Sequence, residues 1–158
     1  MKRLLAPCLV ASMFAVPVLA GEIAPDAVQF AEGGAVTESL TGVPGDPVNG
    51  AKVAATKSLG NCVACHQSSA LKEFEPHGNI GPSLDGAGSR WDEVQLRGIV
   101  AGAKHTFPDT VMPSFYKVSG FIRPGDGYTG KAAPADIKPI LGAQDVEDLV
   151  AFLMTLKD

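Results

Sequence analysis

The firmest hydrophobic pattern lies near the C-terminus. Val146, Leu149, Val150 and Leu153 fall at i, i+3, i+4 and i+7, the stripe of an amphipathic helix with one face on a core. Asp145, Glu147 and Asp148 stand in its predicted first turn and Lys157 in its last, the distribution that the helix dipole favours. A second helix is predicted over Asp92 to Ala103, with Val94, Leu96, Ile99 and Val100 among its apolar residues. A third is predicted from Gly50 to about Leu59, with Asn49 as its N-cap and Gly60-Asn61 as its end. A short helix around Ala24 to Glu32 is a fourth candidate.

Between these elements the periodicity lapses. Residues 67–90 are rich in Gly, Pro and Ser, and His105 to Gly142 holds eight glycines or prolines between Pro108 and Pro134 alone. No alternating strand pattern extends beyond a few residues, and there is no internal repeat. The expected fold class is therefore all-α: three to four helices joined by long loops. Loops of that length argue against a small compact domain. A buried prosthetic group removes the objection, because loops can then pack on the group.

The first residues read as an export signal. Lys2 and Arg3 precede an almost wholly apolar stretch from Leu4 to Leu19, and Val18-Leu19-Ala20 offers small residues for cleavage before Gly21. The apolar run is short for a bilayer span. Pro7 ahead of Cys8 does not suit a lipoprotein site, so no membrane anchor is expected. The reading implies an exported, periplasmic protein. Residues 1–20 carry two of the 13 Lys+Arg and none of the 17 Asp+Glu, which leaves 11 basic against 17 acidic residues, a formal −6. Such a charge argues against nucleic acid or an anionic membrane as partner. The predicted organisation is a signal peptide (1–20), an irregular N-terminal arm (21–47) suited to partner contact, and a domain over 48–158.

Past the signal, Cys62 and Cys65 are the only cysteines, and they stand in Cys62-Val63-Ala64-Cys65-His66. This is the C-x-x-C-H signature of covalent haem attachment, with two thiols spaced for thioether bonds and the next residue an iron ligand. A thioredoxin-like pair belongs in a βαβ pattern, which the chain lacks. A zinc site needs further ligands, and His77 and His105 show no finger-like spacing. An electron carrier needs a second axial ligand. Met112, followed by Pro113 in a loop, is the first candidate, with His77, His105 and Met154 as the others. Downstream, Gly81-Pro82-Ser83-Leu84 suits a backbone carbonyl from Pro82 to the ligating histidine, while Arg90 and Trp91 suit a haem propionate.

These residues resemble class I cytochromes c over about 48–158. The resemblance implies one covalent haem c on Cys62 and Cys65, His66 and Met112 as axial ligands, and a crossing of the first and last helices marked by Phe152. One departure concerns that crossing, because the family's G-x-x-x-F would fall on Ala54 and Ser58. A narrower resemblance is to the SoxX family, carried by Gly60-Asn61 before the motif, Gly78-Asn79-Ile80-Gly81-Pro82, Phe115-Tyr116 after Met112-Pro113, the arm and the insertion before the last helix. It implies an electron-transfer subunit that pairs with a larger haem subunit, SoxA. The complex couples thiosulfate oxidatively to a cysteine of the SoxYZ carrier, with the sulfur chemistry on the partner and a downstream cytochrome as acceptor. The residues themselves contain no catalytic constellation. A free diffusible electron shuttle is the alternative, and a haem sensor a third. Phe115, Tyr116 and Phe121 are candidate partner-facing residues.

Overall fold

Proline and aspartate open the first helix. The computed structural model describes residues 21–74, 76–125 and 129–158, and the predicted export segment lies outside the described residues. Helix α1 spans Pro47–Ala55, with Pro47 at its first position and the Asp46 carboxylate accepting from Val48 N–H. The helix thus starts three residues before the predicted Gly50 and ends before Leu59. Asn49 is not its cap, because its side-chain amide instead donates to the Asp148 carboxylate at 2.7 Å. The predicted helix over Ala24 to Glu32 is replaced by two 3-10 turns, Pro25–Ala27 and Glu32–Gly34. Helix α2, Ala87–Arg90, is a single turn that carries no periodicity to read. Helix α3, Glu93–Gly102, is closed by a reciprocal cap between Asp92 and Gln95. Helix α4, Ala143–Thr155, buries the predicted apolar stripe. It stops short of Lys157, which therefore does not complement its dipole. Among the described residues no β-strand forms, only an isolated bridge between Gly125 and Ala132.

The core is centred on the crossing of α1 and α4. Gly50 lies directly against the Asp148 carbonyl and the Phe152 Cβ, so a side chain there would overlap the backbone of α4. Gly45 meets the Glu147 carbonyl in the same way, one turn earlier. The small residue at the crossing is thus Gly50, one turn before Ala54, and Phe152 is the aromatic it meets. Val53, Ala54, Val146, Leu149 and Val150 complete the buried seam.

Glu147 and Asp148, predicted in the first turn of α4, are each 4% exposed. Glu147 takes the Arg97 guanidinium at 2.9 Å and Leu40 N–H at 2.6 Å, and Arg97 also donates to the Val36 carbonyl. Burial would lower the Arg97 guanidinium, but Glu147 and then Glu93 outweigh it and hold it above its ordinary value. Asp148 receives Asp46 N–H, Gln144 and Asn49. Burial would raise its carboxyl, but these bonds hold it below the usual range. Through Glu147 the segment around Val36 and Leu40, both buried, becomes part of the core. The loop after Met112 is tied in as well. Phe115 N–H reaches the Val100 carbonyl, Tyr116 N–H the Ala101 carbonyl, and the Tyr116 hydroxyl the Ile23 carbonyl at 2.7 Å. Phe115 and Tyr116 are 5% and 3% exposed, which removes both as partner-facing residues.

Replacing Gly50 by alanine forces α1 off α4 and is expected to destabilise the fold by about 2 kcal/mol. Thermal unfolding should show a clear drop in midpoint, whereas Ala51→Gly on the same helix should cost only about 1 kcal/mol.

Candidate haem site

The site begins where α1 runs out. Gly60 N–H bonds back to the Val53 carbonyl at 3.1 Å, and Asn61 takes a left-handed conformation, φ 46°, which asparagine tolerates better than most residues. A 3-10 turn over Cys62–Ala64 follows. Cys65 N–H and His66 N–H both bond to the Cys62 carbonyl, at 3.1 and 2.9 Å. One tight turn thus gathers both thiols and the imidazole, the grouping that the motif spacing predicts.

Among the described residues neither cysteine is in a disulfide. Burial pushes the Cys62 thiol up to about 11, with Cys65 adding to the rise against the turn's own hydrogen bond. A thiol held neutral is the opposite of the activated thiolate that a redox pair needs. Nor do the described residues group three His, Cys, Asp or Glu side chains as a metal cluster. The thioredoxin and zinc readings therefore lose their ground. Two half-buried thiols beside a histidine suit covalent capture of an apolar macrocycle.

His66 is oriented by the loop opposite. Its Nδ1–H donates to the Pro82 carbonyl at 2.6 Å, which leaves Nε2 with its lone pair free. Gly81 makes this possible, because a Cβ there would overlap the imidazole ring. Gly81 N–H in turn bonds to the Cys65 carbonyl and Gly78 N–H to the Val63 carbonyl, both at 2.8 Å. The loop is stitched to the motif on both sides of the histidine. Its far end is held by Leu84 N–H on the Gln67 carbonyl and by Ser69, whose N–H and hydroxyl both reach the Asp85 carboxylate at 2.8 Å. Those bonds from Ser69 hold the Asp85 carboxyl below its ordinary range.

The candidates for a second ligand separate clearly. His77 accepts Ser68 N–H on Nδ1 at 3.3 Å and places Nε2 on the Leu71 carbonyl at 3.1 Å, so both ring nitrogens are engaged by backbone. The His105 ring stacks on Phe30 at 3.8 Å and 10°, packing the arm against α3's end. Met154 lines a groove of α4 with Ser39, Val43, Gly45 and Ala151. Met112 is half-buried against the core and lines a different groove with Thr110, Val111, Pro113 and Phe121. Its N–H rests on the Thr110 hydroxyl at 3.1 Å. Met112 and Met154 both pack against the core, Met154 from α4 and Met112 from a loop.

Trp91 is half-buried and meets Phe107 edge-on at 5.9 Å. Arg90 places two of its donors on backbone carbonyls, those of Asp85 and Ser83. The Asp85–Ser69 and Arg90 bonds carried no signal in the sequence, because each depends on a loop closing through space. Phe121 is 44% exposed beneath the Lys117 ammonium.

The residues fit a covalent haem on this geometry: an Nε2 left available, two thiols gathered in one turn and a glycine that clears the ring. The profile of the cytochrome c family matches residues 47–157. No curated protein sequence matches the chain. Among solved structures, a chain in the crystal structure of SoxXA from P. pantotrophus superposes with a TM-score of 0.83 at 59% identity, covering 87% of this chain and 100% of its own length.

Gly81→Ala should drive the imidazole off its seat and break the bond to Pro82. The expected result is at least about a tenfold fall in haem c incorporated per protein, the lower bound for disturbing a ligand's supporting hydrogen bond, measured by haem stain against total chain.

Proposed function

The chain belongs to the cytochrome c family, and within it to the SoxX family of single-haem class I cytochromes, and we propose that it is the electron-transfer subunit of a periplasmic thiosulfate-oxidising complex. The observation that carries this reading is 59% identity along the full length of a chain of SoxXA. The partner is a larger haem subunit, SoxA, and the reaction it hosts joins thiosulfate to a cysteine thiol of the SoxYZ carrier. A sulfur–sulfur bond forms, the thiol loses its proton, and two electrons leave. This chain accepts them one at a time and passes each to a downstream cytochrome. It is made with a signal peptide over residues 1–20. No described helix is long and apolar enough to cross a membrane.

In this reading Cys62 and Cys65 hold haem c by thioethers, and His66 and Met112 are its axial ligands. Bound haem supplies a one-electron iron couple, and a thioether ligand raises its potential. The chain's own residues supply rigidity. Pro82 fixes the imidazole of His66 in one orientation and one tautomer. Phe115 and Tyr116 anchor the loop that presents Met112 to α3. Neither anchor needs to move when an electron arrives, which keeps transfer fast in both directions. The outer edges of the arm and of residues 114–142, where Val43 and Ile122 stand 52% and 97% exposed, supply apolar area for the partner.

Two measurements test this. Coexpression with the larger haem subunit should yield a heterodimer in which thiosulfate and SoxYZ reduce this chain's haem. A chain that elutes as a monomer and is not reduced under those conditions is a free shuttle instead. Met112→Ala should abolish the weak near-infrared thioether-to-iron charge-transfer band of the oxidised protein. An unchanged band would move the ligand away from Met112.

A further inference from the structure

The hydrogen bond from His66 to Pro82 is held from outside. Arg90, the last residue of α2, donates from Nη1 to the Asp85 carbonyl at 2.7 Å and from Nη2 to the Ser83 carbonyl at 2.9 Å. Those carbonyls flank the turn that begins at Pro82. On its other side the turn is pinned by Ser69 on the Asp85 carboxylate and by Leu84 N–H on the Gln67 carbonyl. Inside it, Asp85 N–H rests on the Ser83 hydroxyl. The segment that carries the Pro82 carbonyl is therefore clamped between residues 67–69, which follow the haem motif, and one guanidinium.

We propose that Arg90 is a positioning residue for electron transfer: its forked guanidinium, seated on the Ser83 and Asp85 carbonyls, keeps the Pro82 carbonyl on His66 and so lowers the haem's reduction potential. The step rests on His66 being an axial ligand. A strong acceptor on Nδ1–H makes the imidazole a better donor to iron. A better donor favours the ferric state, and the potential falls. The planar fork matters because it reaches two carbonyls at once, which a lysine ammonium on a flexible stem does not reproduce.

The clamp and a simple charge effect predict opposite signs. A positive group near the haem, or bound to a propionate, disfavours ferric iron, so Arg90→Ala would lower the potential and Arg90→Lys would leave it near wild type. The clamp predicts that both substitutions raise it, because both release Pro82.

The test is potentiometric titration of the holoprotein as wild type, Arg90→Lys, Arg90→Ala and Ser69→Ala. Ser69→Ala loosens the same turn from the opposite side without changing charge. The expected result is a rise in Arg90→Lys and Ser69→Ala on the order of 30 mV, the one-electron equivalent of a roughly threefold change in ferric preference. In parallel, proton exchange of the His66 ring N–H in the reduced protein should quicken by about tenfold as its acceptor loosens. A lower potential in Arg90→Ala with an unchanged Arg90→Lys overturns the clamp. So does an unchanged His66 exchange rate in the variants. Wild-type protein without the ring-current-shifted imidazole signals of a coordinated histidine would overturn the assignment of His66, which separates that failure from failure of the clamp.

Discussion

Gly50 rests so closely on the carbonyl of Asp148 that no side chain fits between α1 and α4 there, and the haem-binding turn hangs from that crossing. Because the two helices touch by backbone, α1 has a single register against α4. Its C-terminal end then emerges at one place, and the Gly60 bond to Val53 folds the chain directly into the Cys62–Ala64 turn. A looser crossing with larger side chains would let α1 slide and would carry the thiols and His66 with it. Interiors packed like crystals transmit such displacements instead of absorbing them.

The same crossing explains why charged residues are buried in so small a core. Glu147 and Asp148 lie on the face of α4 that meets residues 40–50, where close backbone approach leaves donors to satisfy. Each carboxylate takes several: Leu40 N–H and Arg97 on Glu147, Asp46 N–H, Asn49 and Gln144 on Asp148. Removing one partner of a buried ion pair typically costs about 3–5 kcal/mol. The pair therefore fixes where the arm segment around Leu40 lies, more than it adds to the total stability. The arm is bound at its buried side by this pair and by Tyr116, which reaches the Ile23 carbonyl. What remains exposed on it is available to a partner.

Much of this was legible in the residues, and the parts that were not share one cause. The apolar stripe of α4, the helix α3 and the C-x-x-C-H turn are local, with each signal lying within about ten residues. The start of α1 was misplaced because Asp46 and Asn49 are both good caps in isolation. Tertiary context chose between them by giving Asn49 a carboxylate on α4. The dipole rule places Glu147 and Asp148 in the first turn of α4 but says nothing of their burial, because Arg97 stands fifty residues away. Phe115 and Tyr116 stand in a proline- and glycine-rich loop, where no local pattern separates a partner-facing position from a packed one. Their burial follows from bonds to α3 that no local period encodes.

Ligand assignment shows the same division, and it also bears on what the site can do. Composition leaves four residues able to face His66 across an iron. The structure gives each of them a different setting. His77 is consumed by two backbone bonds and His105 by a ring stack, and Met154 lies in the groove along α4. On the thiol side, burial keeps Cys62 protonated at neutral pH, the reverse of the electropositive setting that activates a nucleophile. The imidazole is held in one orientation by a carbonyl on Nδ1, which leaves Nε2 as the nitrogen that could meet a metal. A turn whose histidine is held by a loop stitched to the motif on both sides keeps its geometry, which suits a change of one electron.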